Sequence, residues 1–327
     1  MPVLRQLEKD DKHWRTLPLS IMGRAAIFKM IAMPRALYVM QHCPCKIPEL
    51  WFHKMETQIR SLLWAGEPAR IGLKTLQRSK YEGGIALPNM RKYYEASQVC
   101  VVNDWAYIEY NDPTYKGDRL GMGKYSYLHA LYGGKLEDQA KPATHTVRRI
   151  WNSLHKEMKW GKRLTPRTPL WEGTRIGGRA MPRGFKQWDI IGISTLADVW
   201  DANGAVPFTY LQTEYKMPTT QWLKYNQLRK ELQNRIDIEE ETQEESPLER
   251  RLLNGRIRRK LISQTYGTIM RHTQEDLEQL KKRWEDNVGP LEEEEWQDAL
   301  GFPSIVAIKT SYRLIQLKIL HRTYYTR

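Results

Sequence analysis

Pro48-Glu49-Leu50-Trp51-Phe52-His53-Lys54-Met55-Glu56-Thr57-Gln58-Ile59-Arg60-Ser61-Leu62-Leu63 is the stretch whose reading decides the fold. Leu50, Trp51, Met55, Ile59, Leu62 and Leu63 recur at the three- and four-residue spacing of one helical face. A helix starting after Pro48 is therefore predicted, with that face turned to a core. Upstream, Ser20 is placed to cap a helix running through Gly23, Arg24, Ile27, Phe28 and Ile31. Pro34 should end or kink it. Downstream, Gly83-Gly84 marks a turn before Ile85–Leu87, and a third helix is expected from Asn89 through Trp105 to Tyr110. Residues 1–110 thus read as a compact helical bundle.

The character changes beyond it. Residues 111–218 read as a connecting region rich in loops, Gly, Pro and Trp, with two short apolar pieces, Ile190–Ile193 and Phe208–Leu211, open between strand and helix. Residues 219–327 read as a second helical module. Thr219 or Thr220 would cap its first helix, and others are expected from Leu248 to Met270 and from Thr273 to Val288. A last helix is expected to be capped by Ser304. The run 237–249 holds seven acids and no base, the composition of a solvated loop between modules. The predicted class is mainly α.

Charge narrows the partners. The chain of 327 residues has 52 Lys and Arg against 38 Asp and Glu, a net +14. Residues 1–100 hold 16 bases and 8 acids, and residues 141–190 hold 12 against 3. An excess of this kind points to polyanions. Two groups interleave bases with aromatics. One is Arg148, Arg149, Trp151, His155, Lys159, Trp160, Lys162 and Arg163; the other is His321, Arg322, Tyr324, Tyr325 and Arg327. Aromatic rings stack on bases while Lys and Arg meet phosphates. The competing reading keeps the rings in the core and the bases in solvent.

Other chemistry finds little footing. The cysteines are Cys43, Cys45 and Cys100, too few and too uneven for a disulfide framework, which fits a reducing compartment. His42, Cys43 and Cys45 lack the second ligand pair of a zinc site, so no metal and no cofactor is expected. Gly121-Met122-Gly123-Lys124 is followed by Tyr125 where a phosphate loop needs Ser or Thr. The one adjacent aspartate pair, Asp10-Asp11, sits in the charged run Glu8–Lys12, not in a turn able to hold two metal ions. Glu292–Glu295 reads as the first turn of a helix. No run approaches the ~18 apolar residues of a membrane span, and Met1–Trp14 has no signal core.

Trp14-Arg15-Thr16-Leu17-Pro18-Leu19-Ser20-Ile21-Met22-Gly23-Arg24, then Ile27-Phe28-Lys29-Met30 and Pro34, resembles the block where the thumb begins in LINE-type (non-LTR) retrotransposon reverse transcriptases. The order of matches continues through Ile47-Pro48, Leu63-Trp64, Gly83-Gly84-Ile85-Ala86-Leu87-Pro88 and Tyr94-Glu95-Ala96. Lys318-Ile319-Leu320-His321-Arg322-Thr323-Tyr324-Tyr325-Thr326 is similar to the segment before the cysteine-rich knuckle of that family. The likeness is strongest over 1–100 and 305–327.

The resemblance implies a thumb-like bundle that grips primer–template duplex, followed by a region that wraps template RNA. Palm and endonuclease would lie upstream of Met1 and the knuckle downstream of Arg327. RNA and RNA–DNA or DNA duplex would be bound with little sequence preference, in cytoplasm and nucleus, and no synthesis is expected from this chain alone. Arg15, Ser20, Gly23, Arg24 and Lys29 would face the duplex, Gly23 allowing close backbone approach. Arg148, Arg149, Lys162, Arg163, His321, Arg322, Tyr324 and Tyr325 complete the expected contacts. The alternative is a protein-interaction or scaffold fragment with no nucleic-acid role.

Overall fold

The computed structural model describes residues 2–42, 46–107, 113, 127–132, 142–161, 163–171, 175–176, 179–180, 185–236, 244–257, 259–274, 277–306 and 308–324. These residues are mainly α-helical, as expected. Two units divide the chain: residues 1–97 with 274–327, and residues 98–273.

The first unit begins with α1 (Pro2–Trp14), which buries Leu4, Leu7 and Trp14. Next comes an unbroken helical run: α2 (Ile21–Ile27), a π turn (Phe28–Ala32) and α3 (Met33–His42). Ser20 caps it, its Oγ accepting from the Gly23 N–H at 3.2 Å. Ile21, Ala25, Phe28, Ala32, Ala36 and Met40 form its buried face. The helix does not end at Pro34. Met33 N–H bonds to the Phe28 carbonyl five residues back. That wider turn opens space where a proline ring otherwise meets the carbonyl four residues behind it.

Helix α4 (Glu49–Trp64) buries Trp51, Phe52, Met55, Ile59, Leu62 and Leu63. Burial of each such side chain is worth about 1.5–3 kcal/mol. Leu50 departs from the predicted face and is 63% exposed. Helical rotation groups it with Lys54 and Thr57, which are exposed too. After α5 (Leu73–Gln77), the chain turns at Gly83-Gly84. Gly84 has no alternative, since a Cβ there would lie 2.2 Å from the Arg78 carbonyl oxygen. Helix α6 (Met90–Val99) follows, and the division between units falls inside it.

The second unit opens with α7 (Val101–Tyr107), so the single third helix predicted over 89–110 is two. Helices α8 (Tyr127–Tyr132) and α9 (Pro142–Glu157) come next. Two antiparallel hairpins, β1 (Arg175–Ile176) with β2 (Arg179–Ala180) and β3 (Trp200–Asp201) with β4 (Gly204–Ala205), flank α10 (Lys186–Ile190). Helix α11 (Phe208–Glu214) shows that both short apolar pieces begin or end helices rather than strands. Then come α12 (Trp222–Gln233), α13 (Pro247–Leu252) and α14 (Leu261–Thr273).

A core joins Trp188, Ile193 and Leu211 to Tyr225, Leu228 and Leu232. Tyr225 Oη also donates to the Val206 carbonyl at 2.7 Å. The expected boundary at 218/219 therefore cuts through one hydrophobic core, and 111–218 is not a separate connecting region. Likewise 219–327 is not one module, because 274–327 groups with the first unit.

The acidic run is also misread in part. Positions 237–243 lie outside the described residues. Ser246 and Glu249 form a capping box that opens α13, with Pro247 at the first helical position. Glu249 is fully buried and accepts from Tyr132 Oη and Thr165 Oγ1, each at 2.7 Å. Glu245 pairs with Arg167 at 2.8 Å.

Three helices complete the first unit: α15 (Glu278–Val288), α16 (Glu293–Ile305) and α17 (Thr310–Leu320). Glu292 caps α16 through a capping box with Glu295, so the glutamate run is a first helical turn, as read. Ser304 caps nothing. Its hydroxyl donates back to the Gly301 carbonyl within α16. No helix among the described residues is long and apolar enough to cross a membrane.

Candidate nucleic-acid interface

The expected site residues of the first unit lie mostly on its internal framework. Arg15 pairs with Asp11 at 2.6 Å and also donates to Ser61 Oγ, and the Asp11 bond holds its guanidinium above its ordinary pKa. Arg24 reaches the last turn of α4, where Nη1 donates to the Leu63 carbonyl at 3.2 Å. That carbonyl belongs to the helix end, which lacks intrahelical donors and bears partial negative charge. Arg24 thus acts as a cap between helices.

Lys29 Nζ lies 3.4 Å from the Ile85 carbonyl, and burial, then the neighbouring Lys80, lower its pKa. Ser20 is the α2 cap and also accepts from Thr310 Oγ1 at 3.0 Å. A Cβ on Gly23 would meet Leu19 and Ser20 only at ordinary contact distances of 3.6 Å, so nothing within the chain requires a glycine there.

The C-terminal group behaves similarly. His321 Nε2 donates to the Gly83 carbonyl at 2.7 Å, and burial lowers the ring's pKa. Arg322 has φ of 54°, lies 5.5 Å from the Trp284 ring centroid and donates to the Arg283 carbonyl. Tyr324 is exposed. Lys162 and Tyr325 lie outside the described residues.

Helix α9 in the second unit is different. Its inner face holds Val147, Trp151, Leu154 and His155 in the core. The Trp151 ring is therefore unavailable for stacking, and His155 is engaged by the Trp151 carbonyl at 2.9 Å and Ser246 Oγ at 2.8 Å. The outer face shows Arg149, Asn152, Ser153 and Lys156, all exposed, and Lys159 and Arg163 are exposed just beyond it. Arg149 and Lys156 are seven apart, two helical turns along one stripe. Arg163 lies 5.0 Å from the Trp160 ring. Arg148 is half-buried, and burial lowers its pKa. Lys156 was not among the residues expected from sequence, although its spacing from Arg149 is a signal that would have found it.

Among the described residues no group of three or more His, Cys, Asp or Glu side chains is placed to hold a metal ion. Asp10 accepts from Gln6 and pairs with Arg35 at 2.6 Å, while Asp11 pairs with Arg15. Cys43 and Cys45 lie outside the described residues. Cys100 is buried beside Thr265, and burial pushes its thiol pKa up to about 12, which leaves it protonated and inert. No protein-family model matches the chain.

Proposed function

We propose that this chain is a non-catalytic nucleic-acid-binding part of a LINE-type retrotransposon reverse transcriptase, gripping template RNA and primer–template duplex. The observation that carries the reading is the exposed basic stripe of α9, Arg149 and Lys156, extended by Lys159 and Arg163. Cations two turns apart on one helix face, with two more just beyond its end, are suited to following a phosphate backbone, and they require no base-specific group. The family resemblance of residues 1–100 and 305–327 supports the same reading.

The residues on which binding rests shift accordingly, from the first unit towards α9. Arg24, Lys29 and His321 each bond to a backbone carbonyl of their own unit. Double reversal Arg149→Glu with Lys156→Glu should weaken binding of a single-stranded RNA at least tenfold by fluorescence anisotropy. Reversal of Lys282, an exposed base on α15, should change it less than twofold. Equal losses in the two proteins would remove α9 from the interface.

A further inference from the structure

Between Trp284 and Ile308 the sequence reverses the overall charge: seven acids and no base, in a chain of net +14. The same stretch forms most of an apolar groove of about 390 Å³ in the first unit. Trp284 and Val288 on α15, Trp296, Ala299 and Phe302 on α16, and Ile319 on α17 line it. Val288 is 63% exposed and Phe302 47%. Asp298 is the only charged side chain among the described lining residues.

A hydrogen bond and apolar packing build the floor of the groove. Trp284 Nε1 donates to the Leu320 carbonyl at 2.9 Å, and Trp296, Leu300 and Leu320 form a buried cluster beneath. The capping box at Glu292 sets the direction in which α16 presents Trp296, Ala299 and Phe302, about one to three turns further on. An apolar trough with Asp298 in its wall and the exposed Glu294 one turn before it suits an amphipathic helix whose flanks are basic.

We propose that this groove is a docking site for a basic amphipathic helix of a partner protein. Its apolar residues would enter between α16 and α17, and its Lys or Arg would meet Asp298 and the exposed Glu294, since Glu293 already pairs with Lys281 at 3.0 Å and Glu292 and Glu295 close the capping box. The site is separate from the phosphate-binding stripe proposed for α9. It gives the protein two surfaces of opposite chemistry, one for polyanion and one for polycation.

The probe is a synthetic helix about five turns long, with Leu and Phe on one face and Lys on the other, labelled for anisotropy and titrated with the full chain. A Glu-for-Lys version and a permuted sequence of the same composition serve as comparisons. The Lys-faced helix should bind at least tenfold more tightly than either. Phe302→Asp and Val288→Asp, both at exposed positions, should each weaken it at least tenfold while RNA binding stays unchanged. Near-UV circular dichroism checks folding, and Val288→Asp stands alone should Phe302→Asp fail to fold. The proposal is overturned if the Lys-faced helix does not bind or the permuted peptide binds as well. It is equally overturned if a folded variant leaves the affinity unchanged or loses RNA binding along with the peptide.

Discussion

Asn103 and Tyr107 sit one turn apart on α7 and together satisfy the backbone of a turn roughly 150 residues away in sequence. Asn103 Nδ2 donates to the carbonyls of Leu252 and Gly255 at 2.7 and 2.8 Å, and its Oδ1 accepts from Ile257 N–H at 3.1 Å. Tyr107 Oη accepts from Gly255 N–H at 2.8 Å. Asn103→Ala would leave one buried and two part-buried backbone groups without their partner and should destabilise the fold by about 2 kcal/mol in chemical denaturation. A loss near zero would mean that water replaces the amide. None of this was legible in sequence, because a polar residue inside an apolar helix does not announce which distant carbonyls it meets. Arg24 carries a related lesson. Its place beside Gly23 fitted a duplex-facing helix, yet the guanidinium caps α4. Arg24→Ala should lower stability by about 1 kcal/mol and leave RNA affinity within twofold. A large affinity loss at unchanged stability would return Arg24 to the interface.

Among the elements, α4 was legible because its apolar period persists over four turns, and Ser20 because a serine before an apolar run is a cap with few rivals. The π turn was not legible. Proline at 34 ordinarily stops a helix, and only the added residue per turn lets the run continue to His42. The start of α13 was legible to within a residue, at Leu248, but its capping box Ser246-Pro247-Leu248-Glu249 was not, because the surrounding acids suggested a solvated loop. Helix α9 packs against it through His155. Burial pushes the His155 pKa below its ordinary value, the Trp151 carbonyl and the Glu249 charge opposing the shift only in part. Burial and then Arg148 push His129 down to about 4.

A depressed histidine pKa means that the unfolded chain binds more protons than the folded one over that interval, so stability rises with pH there. Unfolding free energy should therefore fall as pH is lowered from about 6.5 towards 4. Denaturant melts of the wild type and His155→Gln should show a shallower slope in the variant. Identical slopes would remove His155 from the linkage.

Taken as a whole, the molecule groups its chain differently from its sequence order. Fold class and basicity were legible, since both are sums over many residues. The module boundaries were not, since a discontinuous unit and a core crossing residue 218 depend on contacts between distant segments. The two segments that carry the family resemblance, 1–100 and 305–327, fall almost wholly in the unit built from both ends of the chain. The basic helix lies in the other unit. If the chain grips nucleic acid through phosphates, affinity must depend on released counterions and hardly on base sequence.

The most direct measurement is the affinity of the intact chain for one RNA and one RNA–DNA duplex across a range of salt concentrations. Log affinity should fall linearly with log salt, at about 0.7–0.9 per phosphate contacted. The Arg149→Glu, Lys156→Glu protein should show a slope shallower by about two such contacts. A flat salt dependence in the wild type, or the same slope in both proteins, would contradict a phosphate-gripping role and leave the protein-interaction reading in its place.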